Sequence, residues 1–194
     1  LLGGGPMDRE TKNFVAELPC KTYLGFGMTE TLTHFALAEL KKDQEIIFEP
    51  LPDVKISRDE RGCLVVDRPG ITSGALITND LVKLLPDGFQ WLGRIDNLIN
   101  SGGVKIVPEE VEAKLHPHLK SPFFIAGVPD PYLGEKSVLF VESSEKPNLR
   151  KVEFEEPYQE PKEIISLDEF LYTKSGKIKR RATVEKWLQE ISDC

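Results

Sequence analysis

The spacing of apolar residues divides the chain into stretches of different texture. Residues 8–18 carry Phe14, Val15 and Leu18 at i, i+1 and i+4 ahead of Pro19, which predicts a helix that stops there. A short strand is expected over Lys21–Leu24. It runs into Gly25-Phe26-Gly27-Met28-Thr29-Glu30-Thr31, a glycine-punctuated loop of the kind in which α/β folds place ligands. From about 45 to 92 short apolar runs follow one another: Ile46–Phe48, Val54–Ile56, Leu64–Val66, Ala75–Ile77, Leu81–Leu84 and Phe89–Leu92. Pro, Gly and Asp separate them, with Pro86-Asp87-Gly88 as a hairpin-type turn. That spacing predicts a small antiparallel sheet or barrel.

After Gly93-Arg94 the texture changes again. Val104–Ile106 is expected as a strand and Pro108–Leu115 as a helix, with proline and acids in its first turn and Pro117 beyond it. Strands are expected over Phe123–Val128, Val138–Val141 and Glu163–Leu167, with 143–163 a weak helix or a mobile connection. Val184, Trp187, Leu188 and Ile191 at i, i+3, i+4 and i+7 give the last helix one apolar face. The order β-α-β-β-(α)-β-α describes a compact α+β domain.

Composition narrows the function more than the fold. The 194 residues carry 32 acids against 25 Lys and Arg, a formal net charge of −7, which speaks against a general binder of nucleic acid or acidic membranes. No apolar run approaches the ~18–20 residues of a membrane span. The start, Leu1-Leu2-Gly3-Gly4-Gly5, has neither Met nor a basic signal region, so a truncated chain is expected. Cys20, Cys63 and Cys194 are odd in number and far apart, which suits a reducing cytoplasm better than a disulfide framework or zinc site. His116 and His118, flanking Pro117, are expected at a solvated helix end.

Four segments can carry chemistry. In Gly25–Glu30, small residues admit a phosphate, Thr29 offers a hydroxyl and Glu30 can hold Mg²⁺; an ordinary turn is the plain alternative. Thr78-Asn79-Asp80 offers an acid at a strand end for ribose hydroxyls, or a simple turn Asp. In Gly93–Gly103, Arg94 can pair with phosphate or ribose and the Ser-Gly-Gly turn can line a narrow channel; the plain alternative is a hairpin with a glycine turn. Lys174–Arg181 holds five basic residues in eight. A lysine there can reach a phosphate, or the run is a solvated basic patch. It lacks the spacing of a P-loop.

The order of these segments resembles the adenylate-forming superfamily of acyl- and aryl-CoA synthetases, peptide-synthetase adenylation domains and luciferases. Leu2–Met7 resembles its "GGAPL" turn, Gly25–Thr31 its "YGMTET" with Phe26 for Tyr, and Thr78–Asp80 its "TGD" with Asn79 in the middle. Gly93–Glu112 is similar to "GRxDxxIxxxGxxIxPxEIE", and Ser175–Ile178 to the terminal "PRTxSGKxxR" without its Pro-Arg. Asn100–Ile106, Phe124–Asp130 and Leu133–Lys136 further resemble one group of acid–CoA ligases within the superfamily.

The resemblance implies an enzyme that uses ATP, Mg²⁺ and coenzyme A on a small carboxylic acid. It implies the end of a large AMP-binding domain over 1–95, with a small barrel-like subdomain, and a mobile C-terminal domain over 97–194. Glu30 would help bind Mg²⁺, Thr29 would contact phosphate, and Gly4, Gly5, Phe26 and Gly27 would lie at the nucleotide. Asp80 would bind the ribose with Arg94 nearby, and Asp96 would be the hinge. Gly102 and Gly103 would line the pantetheine channel, and Lys177 would be the catalytic lysine of adenylation. The family's "TSGTTGxPKG" phosphate loop has no counterpart in the chain, so this polypeptide alone is expected to be inactive. A non-catalytic nucleotide- or CoA-binding module and a protein-interaction remnant are the alternatives.

Overall fold

The computed structural model describes residues 1–3, 7 and 9–192. The chain divides into two compact units, Leu1–Asp96 and Asn97–Cys194.

The first unit opens with helix α1 (Arg9–Ala16). Strands β1 (Tyr23–Gly27), β2 (His34–Glu39) and β3 (Glu49–Pro50) then form an antiparallel sheet in that order. Strands β4 (Lys55–Arg58), β5 (Cys63–Asp67), β6 (Leu76–Leu85) and β7 (Gly88–Arg94) form a second antiparallel sheet, each beside the next. Phe48 and Phe89 exchange backbone hydrogen bonds of 2.8 and 3.0 Å, which ties the two sheets together. One core serves both: Leu24, Phe35, Phe48, Leu64, Val66, Val82 and Phe89 are buried in a single cluster.

Several sequence expectations shift here. The first strand starts and ends later than expected, so Gly25, Phe26 and Gly27 lie in β1 and not in a loop. The runs at Ala75–Ile77 and Leu81–Leu84 merge into the single strand β6, which makes Thr78-Asn79-Asp80 strand interior and neither a strand end nor a turn. Partners from other strands satisfy these polar groups, as described below. On α1 the buried face is rotated from the expected one. Phe14 is 68% exposed, while Lys12 is buried with its ammonium on the Gln44 carbonyl and Val15 packs on the core.

The second unit holds β8 (Ile99–Ser101), β9 (Val104–Ile106), α2 (Pro108–Leu115), β10 (Phe123–Asp130), β11 (Gly134–Glu142), β12 (Glu163–Leu167) and α3 (Arg180–Ser192). β10 pairs antiparallel along one edge of β11; β12, in parallel, and β8 share the other edge. Alternation along the central strands gives the sheet two apolar faces. Phe123, Ile125, Leu139 and Val141 pack with Val111 and Leu115 of α2. Phe124, Val128, Val138 and Phe140 pack with Val184, Trp187 and Leu188 of α3. A strand buried on both sides reads as an unbroken apolar run, and Phe123–Val128 does. Residues 143–162 form no helix or strand but are anchored: Leu149, Val152 and Phe154 pack against the α2 face, and Gln159 is buried. The architecture is mixed α/β and α+β, as expected.

Candidate functional site

β1 and β2 position Thr29 and Glu30. The single helical turn Thr29–Thr31 follows Gly27 and leaves both side chains exposed. Thr31 fixes the turn: fully buried, its hydroxyl accepts the Met28 N–H at 3.2 Å and donates to the Thr33 carbonyl at 2.8 Å. Leu32 then adopts a left-handed φ of 61° with an 80% exposed side chain. A branched residue in that conformation carries strain of about 1–2 kcal/mol, and nothing in the sequence pattern marks it.

The glycines before the turn serve packing. A Cβ at Gly25 would lie 2.4 Å from the His34 imidazole, and one at Gly27 would lie 2.6 Å from the Thr33 carbonyl oxygen. The space over both is therefore filled by β2. Phe26 sends its ring into the aromatic core, with centroids 4.9 Å from Phe48, 5.3 Å from Phe89 and 5.6 Å from Phe35. Gly4 and Gly5 lie outside the described residues.

β6 and β7 build a denser polar cluster. Asp80 and Arg94 face each other in register, 3.7 Å apart at their charged atoms. Asp80 is 8% exposed and accepts the Trp91 indole N–H at 3.0 Å, while its backbone N–H donates to the Thr78 hydroxyl at 3.1 Å. Arg94 reaches on to Asp96 at 3.0 Å, and the Asn79 carboxamide donates to both Asp96 oxygens at 3.1 Å. Arg61 donates to the Thr78 carbonyl at 3.2 Å and to Asp59 at 2.8 Å; that bond to Arg61 holds the Asp59 carboxyl below its ordinary range. Asp80, Arg94 and Asp96 are thus one assembly. Sequence reasoning missed Trp91, Asn79 and Arg61 as its members, since only cross-strand pairing reveals them.

In the second unit, Gly102 (φ 60°) and Gly103 (φ 85°) form the two-residue turn of the β8–β9 hairpin, where positive φ at both positions favours glycine. The Gly102 N–H donates to the Leu133 carbonyl at 2.9 Å, joining this turn to the one between β10 and β11. Lys177 sits on an exposed turn closed by Thr173, whose hydroxyl accepts the Lys177 N–H at 3.0 Å. Its ammonium has no hydrogen bond or ion pair among the described residues, so it is free to move. Nor does any such bond among them join Glu30 to Asp80, or Lys177 to the glycine turn.

Deeper in this unit lies a pair that the sequence did not disclose. Glu112 of α2 accepts both arms of Arg180 at 2.7 Å and the Ile125 N–H at 2.8 Å. Burial pushes its carboxyl above the ordinary value, against the pull of Arg180 and of the Ile125 N–H.

Among the described residues no group of three or more His, Cys, Asp or Glu side chains is arranged to hold a metal ion. A lone exposed carboxylate such as Glu30 nevertheless suits Mg²⁺ that takes its other ligands from phosphates and water. No described helix is long and apolar enough to cross a membrane.

No protein-family model matches the chain. Its homologues and structural neighbours are acyl-CoA synthetases and o-succinylbenzoate–CoA ligases of the adenylate-forming superfamily, and it corresponds to a C-terminal portion of them. Among curated proteins it is 29% identical to the 2-succinylbenzoate–CoA ligase of Lactococcus lactis, over 93% of this chain and 45% of that enzyme. It is also 29% identical to a mitochondrial acyl-coenzyme A synthetase of Mus musculus, over 84% of this chain and 36% of that one. Among solved structures, a variant of E. coli MenE with bound OSB-AMS matches with a TM-score of 0.76 at 26% identity, covering 96% of this chain and 45% of the other. The chain thus spans less than half the length of these relatives.

Proposed function

We propose that the chain is the C-terminal part of an ATP-dependent acid–CoA ligase acting on o-succinylbenzoate, an enzyme of menaquinone biosynthesis in the cytoplasm. The observation that carries the reading is the Asp80–Arg94–Asp96 assembly, which ends where the first unit gives way to the second. Matches to 2-succinylbenzoate–CoA ligases support the substrate, as does Asn100-Ser101-Gly102-Gly103-Val104-Lys105-Ile106.

In the first half-reaction the acid's carboxylate attacks the α-phosphorus of ATP and pyrophosphate leaves. In the second, the CoA thiol attacks the acyl carbonyl and AMP leaves. Asp80 offers carboxylate oxygens to the ribose hydroxyls, and its buried setting against Trp91 keeps them oriented. Thr29 donates to phosphate, and Glu30 would hold Mg²⁺, whose charge would offset that of the approaching anions. Gly4, Gly5 and Gly27 border the nucleotide, and Phe26 serves that edge by its backbone while its ring holds β1 on the core. Lys177 brings a mobile cation to the transferring phosphate, and Gly102-Gly103 lines the thiol's path in the second step. Asp96 is the hinge on which the unit after it changes role between steps. The reading assigns 1–95 to the large AMP-binding domain and 97–194 to the small mobile one.

The test is Lys177→Ala in the intact enzyme, supplied with o-succinylbenzoate and ATP. Pyrophosphate release should fall by about 10²–10³-fold. Thioester formation from preformed acyl-adenylate should stay within a few-fold. Equal losses in both half-reactions would refute the assignment.

A further inference from the structure

Lys177 stands near the tip of a small hairpin whose two feet are set in the core. Phe170 is buried, its ring centroid 5.0 Å from that of Phe124, and Ile178 packs on the same α3-side cluster. Between them the Lys179 N–H donates to the Leu171 carbonyl at 2.7 Å, and the Thr173 N–H donates to the Lys177 carbonyl at 2.8 Å. Tyr172 and Ile178 thereby face each other as a bridged pair. The tip is closed from within. The Gly176 N–H donates to the Thr173 carbonyl at 3.0 Å, with a φ of 80° that favours glycine, and the Lys177 N–H donates to the Thr173 hydroxyl. These bonds fix the shape of the hairpin but not its tilt, because residues 174–177 are exposed and a lone two-stranded hairpin is marginal in water. One side chain reaches out of it. The Tyr172 phenol donates to the carboxylate of Glu142, the last residue of β11. Among the described residues no other hydrogen bond ties 172–177 to the sheet.

We infer that Tyr172 is a positioning residue that, through its bond to Glu142, holds the Lys177 turn at a fixed angle to the sheet of the second unit. The inference rests on the reading of Lys177 as the lysine of adenylation and adds what aims it. Leu171-Tyr172 stands where the terminal motif has Pro-Arg, so the anchor lies in the part of the chain that departs from that motif. A hydroxyl bonded to a carboxylate makes a charge-assisted bond, about twice as strong as a neutral one. Burial and the Glu142 carboxylate raise the phenol to about 12, so the donor persists through neutral and mildly alkaline pH. A cation that must meet a transferring phosphate depends on such aim, since a misplacement of about 1 Å can cost about a hundredfold in rate.

The experiment has two arms. In the 194-residue chain, backbone ¹⁵N order parameters of Ser175, Gly176 and Lys177 should fall from about 0.85 to below about 0.6 in Tyr172→Phe and in Glu142→Ala. Phe170, β11, α3 and the melting temperature should hold. In the intact enzyme, Tyr172→Phe should lower kcat for pyrophosphate release about tenfold at unchanged KM. Thioester formation from preformed acyl-adenylate should be unaffected. In a Lys177→Ala background the same substitution should cost nothing further, because residues that act through one another are not additive. Tyr172→Arg, whose guanidinium can reach Glu142, should restore most of the rate and the order. A turn unmoved in both variants, a loss shared by both half-reactions, or a loss that adds to that of Lys177→Ala would overturn the inference and leave the lysine's role standing. Lys177→Ala without selective loss of adenylation would instead remove the lysine from the chemistry, with the anchor still read from the order parameters.

Discussion

Removing Arg180 isolates a buried charge, and the size and pH dependence of the loss follow from the geometry. Glu112 keeps a side chain only 9% exposed, bonded on both oxygens by Arg180 at 2.7 Å. Arg180→Met keeps an unbranched apolar side chain but strips away both bonds and the guanidinium that lies 6.0 Å over the Phe124 ring. Breaking a buried pair from one side costs about 3–5 kcal/mol, and the lower end applies because Arg180 itself is 30% exposed. About 3 kcal/mol corresponds to roughly a hundredfold faster exchange of the slowest amides in β10 and β11, measured by hydrogen exchange near pH 7.5.

The same variant fixes the sign with pH. Burial already raises the Glu112 carboxyl, and Arg180 is the largest influence opposing that rise. Without Arg180 the folded state holds the proton more tightly still than the unfolded chain does. Stability from such a group is fully present below the unfolded pKa and is lost as pH rises through the folded one. The variant should therefore regain stability as pH falls from 7.5 towards 5, at up to about 1.4 kcal/mol per pH unit. The double variant Glu112→Gln, Arg180→Met should recover most of the loss and show no such pH dependence. A loss below about 1 kcal/mol, or one equal at both pH values, would show that the pair is not the buried clamp described.

Two further outcomes follow. Gly25→Ala drives a Cβ into the His34 imidazole and should cost about 2 kcal/mol in urea unfolding of the first unit; adding His34→Ala should relieve most of it. Tyr172 donates to Glu142, and burial together with that carboxylate raises its phenol to about 12. Glu142→Gln should move the ultraviolet titration of Tyr172 back towards the usual value near 10.

What the sequence disclosed depended on how local the cause was. Pro108–Leu115, Val104–Ile106 and Glu163–Leu167 carry their own signals, and each forms over the residues expected. β2 was missed because Ala36 and Ala38 give a weak apolar signal although both are fully buried. Thr78-Asn79-Asp80 suggests a turn by composition; it is strand because Trp91, Arg61 and Asp96, all distant in sequence, supply its hydrogen bonds. The motif order was enough to recognise the superfamily. The mutual contacts of Asp80, Arg94 and Asp96 were not legible, since they arise from the register of β6 on β7.

The parallel pairing of β12 on β11 has a consequence for synthesis. β11 is buried without a break over 137–141, and the stretch Val138–Val141 stays unpaired on one side until residues 163–167 arrive. On the ribosome the β10–β11 hairpin is complete while that partner is still being made, leaving an open hydrophobic edge of the kind that templates aggregation. The slow moment of biogenesis for this unit is the interval in which 143–167 emerges, and chaperone capture or low temperature should act there.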